Sequence, residues 1–177
     1  MEVRAEQPED IEAIRKVNLA AFGREDEANL VDRLRGAAST LSLIATESGQ
    51  IVGHIFFSPV TIRTQPNVDR ACGECADAFV LGLAPVAVLP GYQRRGIGAL
   101  LIRQGLVECD RLGCQAVVVL GSPAYYSRFG FVPAREKGLK CEYNIPEEAF
   151  MVVELAADAL KGCQGTVSYR SEFNALE

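Results

Sequence analysis

The stretch of sequence that decides the fold reads Val86-Ala-Val-Leu-Pro-Gly-Tyr-Gln-Arg-Arg-Gly-Ile-Gly-Ala-Leu-Leu-Ile102. An apolar strand ends at a proline-glycine turn, and a loop with two glycines and two arginines then opens a helix. Gly96 and Gly98 have no side chains, so a ligand can approach the backbone closely there. The first-turn N–H groups and the helix dipole favour an anion. The stretch therefore predicts a pyrophosphate cradle made of backbone, beside the positive charges of Arg94 and Arg95.

Two common nucleotide-binding motifs do not fit this stretch. The dinucleotide pattern GxGxxG fails because Leu101 occupies the position of the third glycine. The phosphate-binding P-loop fails because no Gly-Lys-Ser/Thr follows. The competing interpretation is a glycine-rich turn between strand and helix with solvated arginines. A lone GxG would support only that interpretation.

Hydrophobic periodicity around this stretch predicts a mixed α/β fold in one domain, residues 1–177. The expected strands cover residues 2–6, 41–47, 50–62, 79–89, 116–120 and 150–155, with a further short one near Phe131. The expected helices are two between Pro8 and Gly36 and one over residues 98–112, and a short helical turn covers residues 125–129. The central strand–helix–strand unit predicts a parallel crossover.

Composition and charge narrow the function. The chain has 177 residues, of which 49% are hydrophobic and 23% are charged, and its net charge is −5. This acidic balance argues against a dedicated nucleic-acid binder. The first ten residues carry five charges, so no secretory signal is predicted, and the uncharged stretches are too short to span a membrane. A cytoplasmic protein without a membrane partner is expected.

Six cysteines and a single histidine bear on metal and redox chemistry. Cys72 and Cys75 form a lone CxxC with no second pair at zinc-finger spacing, so reduced thiols are favoured over disulfides, and a zinc or redox pair is the less favoured alternative. His54 is the only histidine, which excludes a histidine-based metal site and a Ser-His-Asp triad. No metal is expected.

Two motifs resemble those of a known family. The pattern Val-x-Val-x-Pro-x-x-Gln-x-x-Gly-x-Gly, which begins at Val86 and ends at Gly98, is similar to the central motif of the GNAT superfamily of acyl-CoA-dependent N-acyltransferases. Downstream, Tyr126-Ser-Arg-Phe-Gly130-Phe131 resembles the second signature, Tyr-x-x-x-Gly-Phe. Within this superfamily, the wider pattern of the sequence resembles the YhbS-type branch. The residues that carry this are Leu83 to Pro85, Gly121 to Tyr126, and Glu172-Phe173-Asn174.

The resemblance implies a GNAT-like fold and acetyl-CoA as co-substrate. In the family, the strand holding Val86 and Val88 splays from the next strand, and the pantetheine arm of CoA lies in the gap. The N–H of Val88 would face the thioester carbonyl as an oxyanion donor. Tyr126 would donate a proton to the departing thiolate. For Tyr126 the alternative is a core aromatic, which is the preferred interpretation for Tyr125.

The same resemblance implies a set of cofactor-binding residues. They are Val86, Ala87, Val88, Gln93, Arg94, Arg95, Gly96, Ile97, Gly98, Ala99, Leu120, Gly121 and Tyr126. One departure matters. Many members place an asparagine seven residues before the tyrosine, where this chain has Val119, so that pantetheine contact is not carried over.

The acceptor site is harder to predict. Glu27, between the first two expected helices, lies where superfamily members shape the acceptor site, so it is a candidate general base. Glu74 and Asp77 are alternatives, and a solvated surface carboxylate is the competing interpretation for each. His54 alternates with Val52 and Phe56 on one strand face and is a weak candidate for lining the acceptor pocket. A satisfied, half-buried histidine is the alternative.

Three functions remain open. The first is transfer of an acetyl group from acetyl-CoA to a primary amine, on a small molecule or on a protein. The second is a non-catalytic acyl-CoA sensor with an intact cradle. The third is an unrelated nucleotide-binding domain that shares only a GxG loop. A homodimer is compatible with each of them.

Overall fold

The computed structural model describes residues 1–64, 75 and 77–176. These residues form two compact units. The first unit comprises Met1–Ser58, Ala84–Glu108 and Ser171–Glu177, and the second comprises Pro59–Leu83 and Cys109–Arg170. The expected single domain stays a prediction.

The strands and helices follow the chain in an order that mixes both kinds of element. The strands are β1 (Glu2–Ala5), β2 (Leu41–Glu47), β3 (Gln50–Arg63), β4 (Val80–Val88), β5 (Ala116–Leu120), β6 (Val132–Pro133), β7 (Leu139–Cys141), β8 (Phe150–Glu154) and β9 (Gly165–Ser168). The helices are α1 (Ile11–Phe22), α2 (Asp26–Leu34), α3 (Ile97–Arg111) and α4 (Pro123–Tyr126). The expected mixed α/β class is confirmed.

The first unit contains an antiparallel hairpin. Strand β1 pairs with β2, and β2 pairs with the first part of β3 across the turn at Ser48-Gly49, as the sequence predicts. Strand β3 is mostly apolar, and it is buried continuously from Val52 to Ser58. Helix α3 contributes Ile97, Leu101 and Ile102 to the core, each at most 2% exposed. The core of this unit therefore lies between a sheet and the apolar stripes of its helices.

The second unit contains the parallel pair that closes the crossover through α3. Strand β4 runs parallel to β5, with Val80 opposite Ala116 and Leu83 opposite Val119. Strand β8 is antiparallel to β5, and β6 pairs with β8. The last residues of β3 pair with β9, which runs parallel to β7. Strands β7 and β9 have three and four residues and were not predicted, because such short segments carry too little periodicity to recognise.

One expectation about cysteine is wrong. Cys75 and Cys163 form a disulfide in the second unit, with their Cα atoms 5.7 Å apart. The pairing joins positions separated by 88 residues, and spacing along the sequence gives no sign of such a contact. Cys109 and Cys114 are buried and Cys141 is half-buried, and none of the three takes part in this disulfide. Cys72 lies outside the described residues.

Candidate active site

The predicted cradle lies in the first unit, directly after β4. A single 3-10 turn, Pro90–Tyr92, follows the strand, and the Gln93 side-chain amide donates a hydrogen bond of 3.1 Å to the carbonyl oxygen of Val88. This contact ties the start of the loop to the end of the strand. The Leu89 N–H donates to the Val52 carbonyl at 2.9 Å, so the strand end is also fixed to β3.

Two backbone positions shape the loop. Arg94 and Gly96 both have positive φ angles, of 60° and 82°. A Cβ at Gly96 would meet nothing within 4 Å, so glycine is required there for its backbone conformation rather than for space. Residues that enter and leave the left-handed region turn successive N–H groups toward one point, which produces a concave anion site.

Helix α3 continues this site. The N–H of Leu100 donates to the carbonyl of Gly96 at 3.0 Å and closes the first turn. The N–H groups of Ile97, Gly98 and Ala99 precede that bond, and a helix offers them no acceptor of its own. With the positive end of the helix dipole, they make a favourable position for a phosphate group.

The two arginines of the loop differ. Arg95 donates to Glu47 at 2.9 Å, and its guanidinium lies 5.1 Å from the centre of the Tyr92 ring. Arg94 is exposed, and no residue in the described part of the chain pairs with it. Of the two predicted positive charges, only that of Arg94 is therefore free for a ligand.

The end of β4 presents the other predicted backbone contacts. Ala87 is buried, and Val86 and Val88 are half-buried. The register between β4 and β5 covers only Val80–Leu83, although β4 continues to Val88. Strand β4 also neighbours β3, so among the described residues only its β5 side lacks a strand partner beyond Leu83, and that side can accept and donate hydrogen bonds to an extended ligand.

Tyr126 lies in the second unit, at the end of α4. The ring packs edge-on against Phe131, with 5.6 Å between ring centres, and the residue is 8% exposed. A Cβ on Gly121 would approach the Tyr126 ring to 2.3 Å, so only glycine fits beneath it. Burial raises the pKa of Tyr126 to about 12, and Tyr125 adds to that rise. The hydroxyl is therefore protonated at neutral pH, as a general acid must be.

Two neighbours of Tyr126 have other surroundings. Tyr125 is half-buried, and the Arg128 guanidinium lies 4.5 Å from the centre of its ring. Leu120, which precedes Gly121 at the end of β5, is 39% exposed. An apolar side chain exposed at a strand end is available for contact with a ligand.

Glu27 is neither between the helices nor on the surface. It lies in the first turn of α2 and is 6% exposed, and its carboxylate accepts a hydrogen bond of 2.6 Å from Arg24. Both carboxylate oxygens accept hydrogen bonds from the Arg24 guanidinium, so the carboxylate is already engaged by another side chain. Asp77 is exposed, and Glu74 lies outside the described residues.

His54 is fully buried in the first unit, and both ring nitrogens have side-chain neighbours. Its Nδ1 is 3.0 Å from the Asn18 amide nitrogen, and its Nε2 is 2.9 Å from the Ser42 hydroxyl. The Asn18 amide also donates to the carbonyl of Ile14, so Nδ1 accepts and the Nε2 proton points to Ser42. Burial lowers the pKa of His54 to about 3, and the charge of Arg35 lowers it further. The ring is therefore neutral.

This histidine belongs to a polar network that the sequence did not reveal. Ser42 donates to Glu6, which accepts in turn from Arg35 at 2.5 Å. Arg35 also donates to Asp32 at 2.5 Å. These contacts join α1, α2, β2, β3 and the residue that follows β1, so they describe a structural network. The one hint of this network in the sequence is His54, a polar residue in a mostly apolar strand.

No group of three or more metal-ligating side chains comes together within residues 1–64, 75 and 77–176. In the same part of the chain, no helix combines the length and apolar character that crossing a membrane requires.

The sequence also matches known proteins. Residues 9–131, which include the cradle and Tyr126, match the Acetyltransferase (GNAT) family model. The chain is 40% identical to the uncharacterized N-acetyltransferase YhbS of Escherichia coli K12 over 176 residues, which is 98% of this chain and 99% of that protein. The chain belongs to the GNAT family of acetyltransferases.

Other GNAT proteins agree with this assignment. The chain is 43% identical to the uncharacterized N-acetyltransferase YjhQ of E. coli K12 over 143 residues, 78% of this chain and 74% of that one. The crystal structure of E. coli YhbS in complex with CoA superimposes with a TM-score of 0.86 at 38% identity, covering 98% of this chain and 91% of that one. A Brucella melitensis GNAT family acetyltransferase in complex with acetyl-CoA gives a TM-score of 0.76 at 38% identity, with 97% of each chain covered.

Proposed function

We propose that this GNAT protein transfers the acetyl group of acetyl-CoA to a primary amine. The observation that carries the proposal is the cradle, in which positive φ angles at Arg94 and Gly96 lead into the unpaired first turn of α3. The relatives of known structure that bind CoA or acetyl-CoA support the choice of co-substrate.

The residues of the first unit fit such a co-substrate. The N–H groups of residues 94–99 would hold the pyrophosphate, with Arg94 adding charge. Val86, Ala87 and Val88 would pair with the amide groups of the pantetheine arm, because this part of β4 lies beyond its register with β5. Gln93 would hold the loop in place through its bond to the Val88 carbonyl.

The chemistry needs little beyond positioning. Acetyl-CoA supplies an acetyl thioester, whose thiol is a fair leaving group. The amine nitrogen forms a bond to the carbonyl carbon as the C–S bond breaks, and it then releases a proton. We assign to the Val88 N–H a hydrogen bond to the carbonyl oxygen, a role worth about 2.7–4 kcal/mol where such a donor has been removed.

Tyr126 would supply the proton that the thiolate takes up. Its raised pKa, about 12, keeps it protonated over the whole working range of an enzyme. Leu120 and Gly121 would line the space that the thiol end occupies. No general base is assigned, because Glu27 is already paired with Arg24.

A cytoplasmic location is part of the same proposal. The Cys75–Cys163 disulfide weighs against it, because disulfides are uncommon in reducing compartments.

The experiment has two stages. Calorimetry compares binding of acetyl-CoA, NAD and ATP, and a thiol-release assay then uses acetyl-CoA with a panel of amines. We expect acetyl-CoA to bind and at least one amine to accelerate thiol release. Binding without any amine-dependent release would instead indicate the acyl-CoA sensor, and equal binding of NAD would contradict the assignment of the cradle.

A further inference from the structure

The second unit contains a cavity that the proposed chemistry does not yet use. Its volume is about 510 Å³, within the range of roughly 300–1,000 Å³ that small-molecule sites occupy. Leu139 and Phe150 line it and are 1% and 3% exposed, and the half-buried Ile145 adds a third apolar side chain. The cavity can therefore enclose an apolar body.

An aromatic wall gives the cavity a fixed shape. Tyr143 lines it, and its ring stacks on Tyr169 with 5.8 Å between centres and 28° between planes. Tyr169 is itself buried, with only 9% of its surface exposed. Because the second ring holds the first, the cavity presents a flat aromatic surface on which an apolar or aromatic ligand can stack.

The cavity is lined by more positively than negatively charged side chains. Arg135 and Lys140 contribute two cations, and Glu147 contributes one carboxylate. The Oε2 atom of Glu147 lies 3.5 Å from Nη1 of Arg135, so these two side chains form an ion pair. Lys140 is exposed, and the described part of the chain contains no partner for it. In a protein whose net charge is −5, this local excess of positive charge favours a ligand with a carboxylate.

The cavity lies on a defined face of the sheet in this unit. Phe150 is opposite Leu120 in the β5–β8 pair, so their side chains share one face. The next residue, Gly121, donates to the Ala149 carbonyl, and its side-chain direction points at the Tyr126 ring. The Phe150 wall of the cavity therefore adjoins the end of β5, from which the chain continues through Gly121 to Tyr126.

This arrangement suits an acetyl transfer. The nitrogen that attacks and the sulfur that leaves are both bonded to one carbonyl carbon in the transition state, so the acceptor has to lie close to the acid. We propose that the cavity holds the acceptor, and that this acceptor is an amino acid or similar small amine with an apolar side chain and a carboxylate paired with Lys140. The inference rests on the proposed acetyltransferase function, and it adds the class of acceptor.

Binding is tested first, without turnover. The δ1-methyl groups of isoleucine are isotopically labelled, and the Ile145 resonance is followed by NMR, with Ile14 as the internal control because it is 0% exposed in the first unit. The ligands are phenylalanine, 3-phenylpropionate, which lacks the amine, and phenethylamine, which lacks the carboxylate. Phenylalanine and 3-phenylpropionate should shift Ile145 saturably, and phenethylamine should bind about tenfold more weakly.

Variants then test the contact with the carboxylate. Lys140→Glu should weaken the binding of phenylalanine about tenfold and leave the binding of phenethylamine unchanged. Lys16→Glu on α1 is the matched control and should change neither of these two affinities. In the thiol-release assay with phenylalanine, Lys140→Glu should raise KM about tenfold at constant kcat, the signature of lost substrate binding.

The outcomes separate the two proposals. If another amine is acetylated while none of the three ligands shifts Ile145, the cavity is not the acceptor site and the acetyltransferase function stands. Saturable binding at Ile145 without acetylation of any apolar amino acid also overturns the acceptor assignment. If acetyl-CoA neither binds nor releases thiol with any amine, the proposed function itself fails.

Discussion

The loop at residues 93–99 offers a ligand backbone N–H groups on an exposed surface, whereas Tyr126 offers one hydroxyl from a buried ring. The loop depends on the backbone angles at Arg94 and Gly96. Tyr126 depends on one oxygen atom and on a pocket that only Gly121 permits. Under the proposed function, the first arrangement would govern affinity for acetyl-CoA, and the second would govern the rate of transfer.

Removing the hydroxyl of Tyr126 should have the largest effect. Tyr126→Phe keeps the ring and its packing, so affinity for acetyl-CoA should change little. The kcat should fall by roughly 10²–10⁴-fold, because general acid catalysis contributes about that much. Steady-state kinetics with a productive amine measures this. Tyr125→Phe is the matched control, and a loss of kcat there but not at Tyr126 would show that the wrong tyrosine has been assigned.

His54 extends the comparison to a buried side chain with no proposed chemistry. Its folded pKa of about 3 lies below the ordinary value of 6.5, so the unfolded chain takes up the proton first as the pH falls. The resulting stability is present above pH 6.5 and is lost between that pH and the folded pKa. Between pH 7 and pH 5 the free energy of unfolding should fall roughly 2 kcal/mol more in the wild type than in His54→Gln.

Denaturant titrations at the two pH values measure this difference. The chain has no other histidine, so the comparison with His54→Gln isolates a single group. Equal pH dependence in the two proteins would show that His54 is not held neutral. At neutral pH, His54→Gln should change kcat far less than Tyr126→Phe does.

Gly96 tests the backbone half of the comparison. Gly96→Ala places a Cβ on a residue with φ of 82°, which costs about 1–2 kcal/mol in the left-handed region. Affinity for acetyl-CoA should therefore fall about tenfold, with kcat at saturation nearly unchanged. Calorimetry measures the affinity. Gly91→Ala in the preceding turn, where a Cβ also meets nothing within 4 Å, should bind like the wild type.

The two arginines should show the smallest effect. Arg94→Gln should weaken acetyl-CoA binding roughly threefold, the scale of an exposed ion pair, and less so at high salt. Arg95→Gln should weaken it less, because Arg95 is already committed to Glu47. A larger loss at Arg95 than at Arg94 would mean that ligand binding rearranges the loop.

The sequence predicted the parts of this molecule that repeat a regular pattern. The hairpin of β2 and β3, strand β5 and helix α3 lie within a residue or two of the expected bounds, because each has a sustained apolar period. Strands β7 and β9 are too short for a period, and the pairing of Cys75 with Cys163 spans 88 residues.

The candidate site divides in the same way. The turn and the helix start that form the proposed cradle could be predicted because glycines and a helix start are local features of the chain. The pairing of Glu27 with Arg24 and the enclosure of His54 could not, since both depend on which side chains the fold brings together. The cavity lined by Lys140 and Tyr143 is built from segments scattered between residues 135 and 166, and no local motif marks them.

The central claim is that backbone N–H groups at the start of α3 hold acetyl-CoA. Selective labelling with 15N-glycine makes the amides of Gly96 and Gly98 visible one by one in an NMR titration. Addition of acetyl-CoA should shift the Gly98 amide downfield and saturably, with Gly96 also perturbed and Gly36 unchanged, while NAD should shift none of them. If acetyl-CoA binds but leaves Gly96 and Gly98 unmoved, the cradle is not its site and the account is wrong.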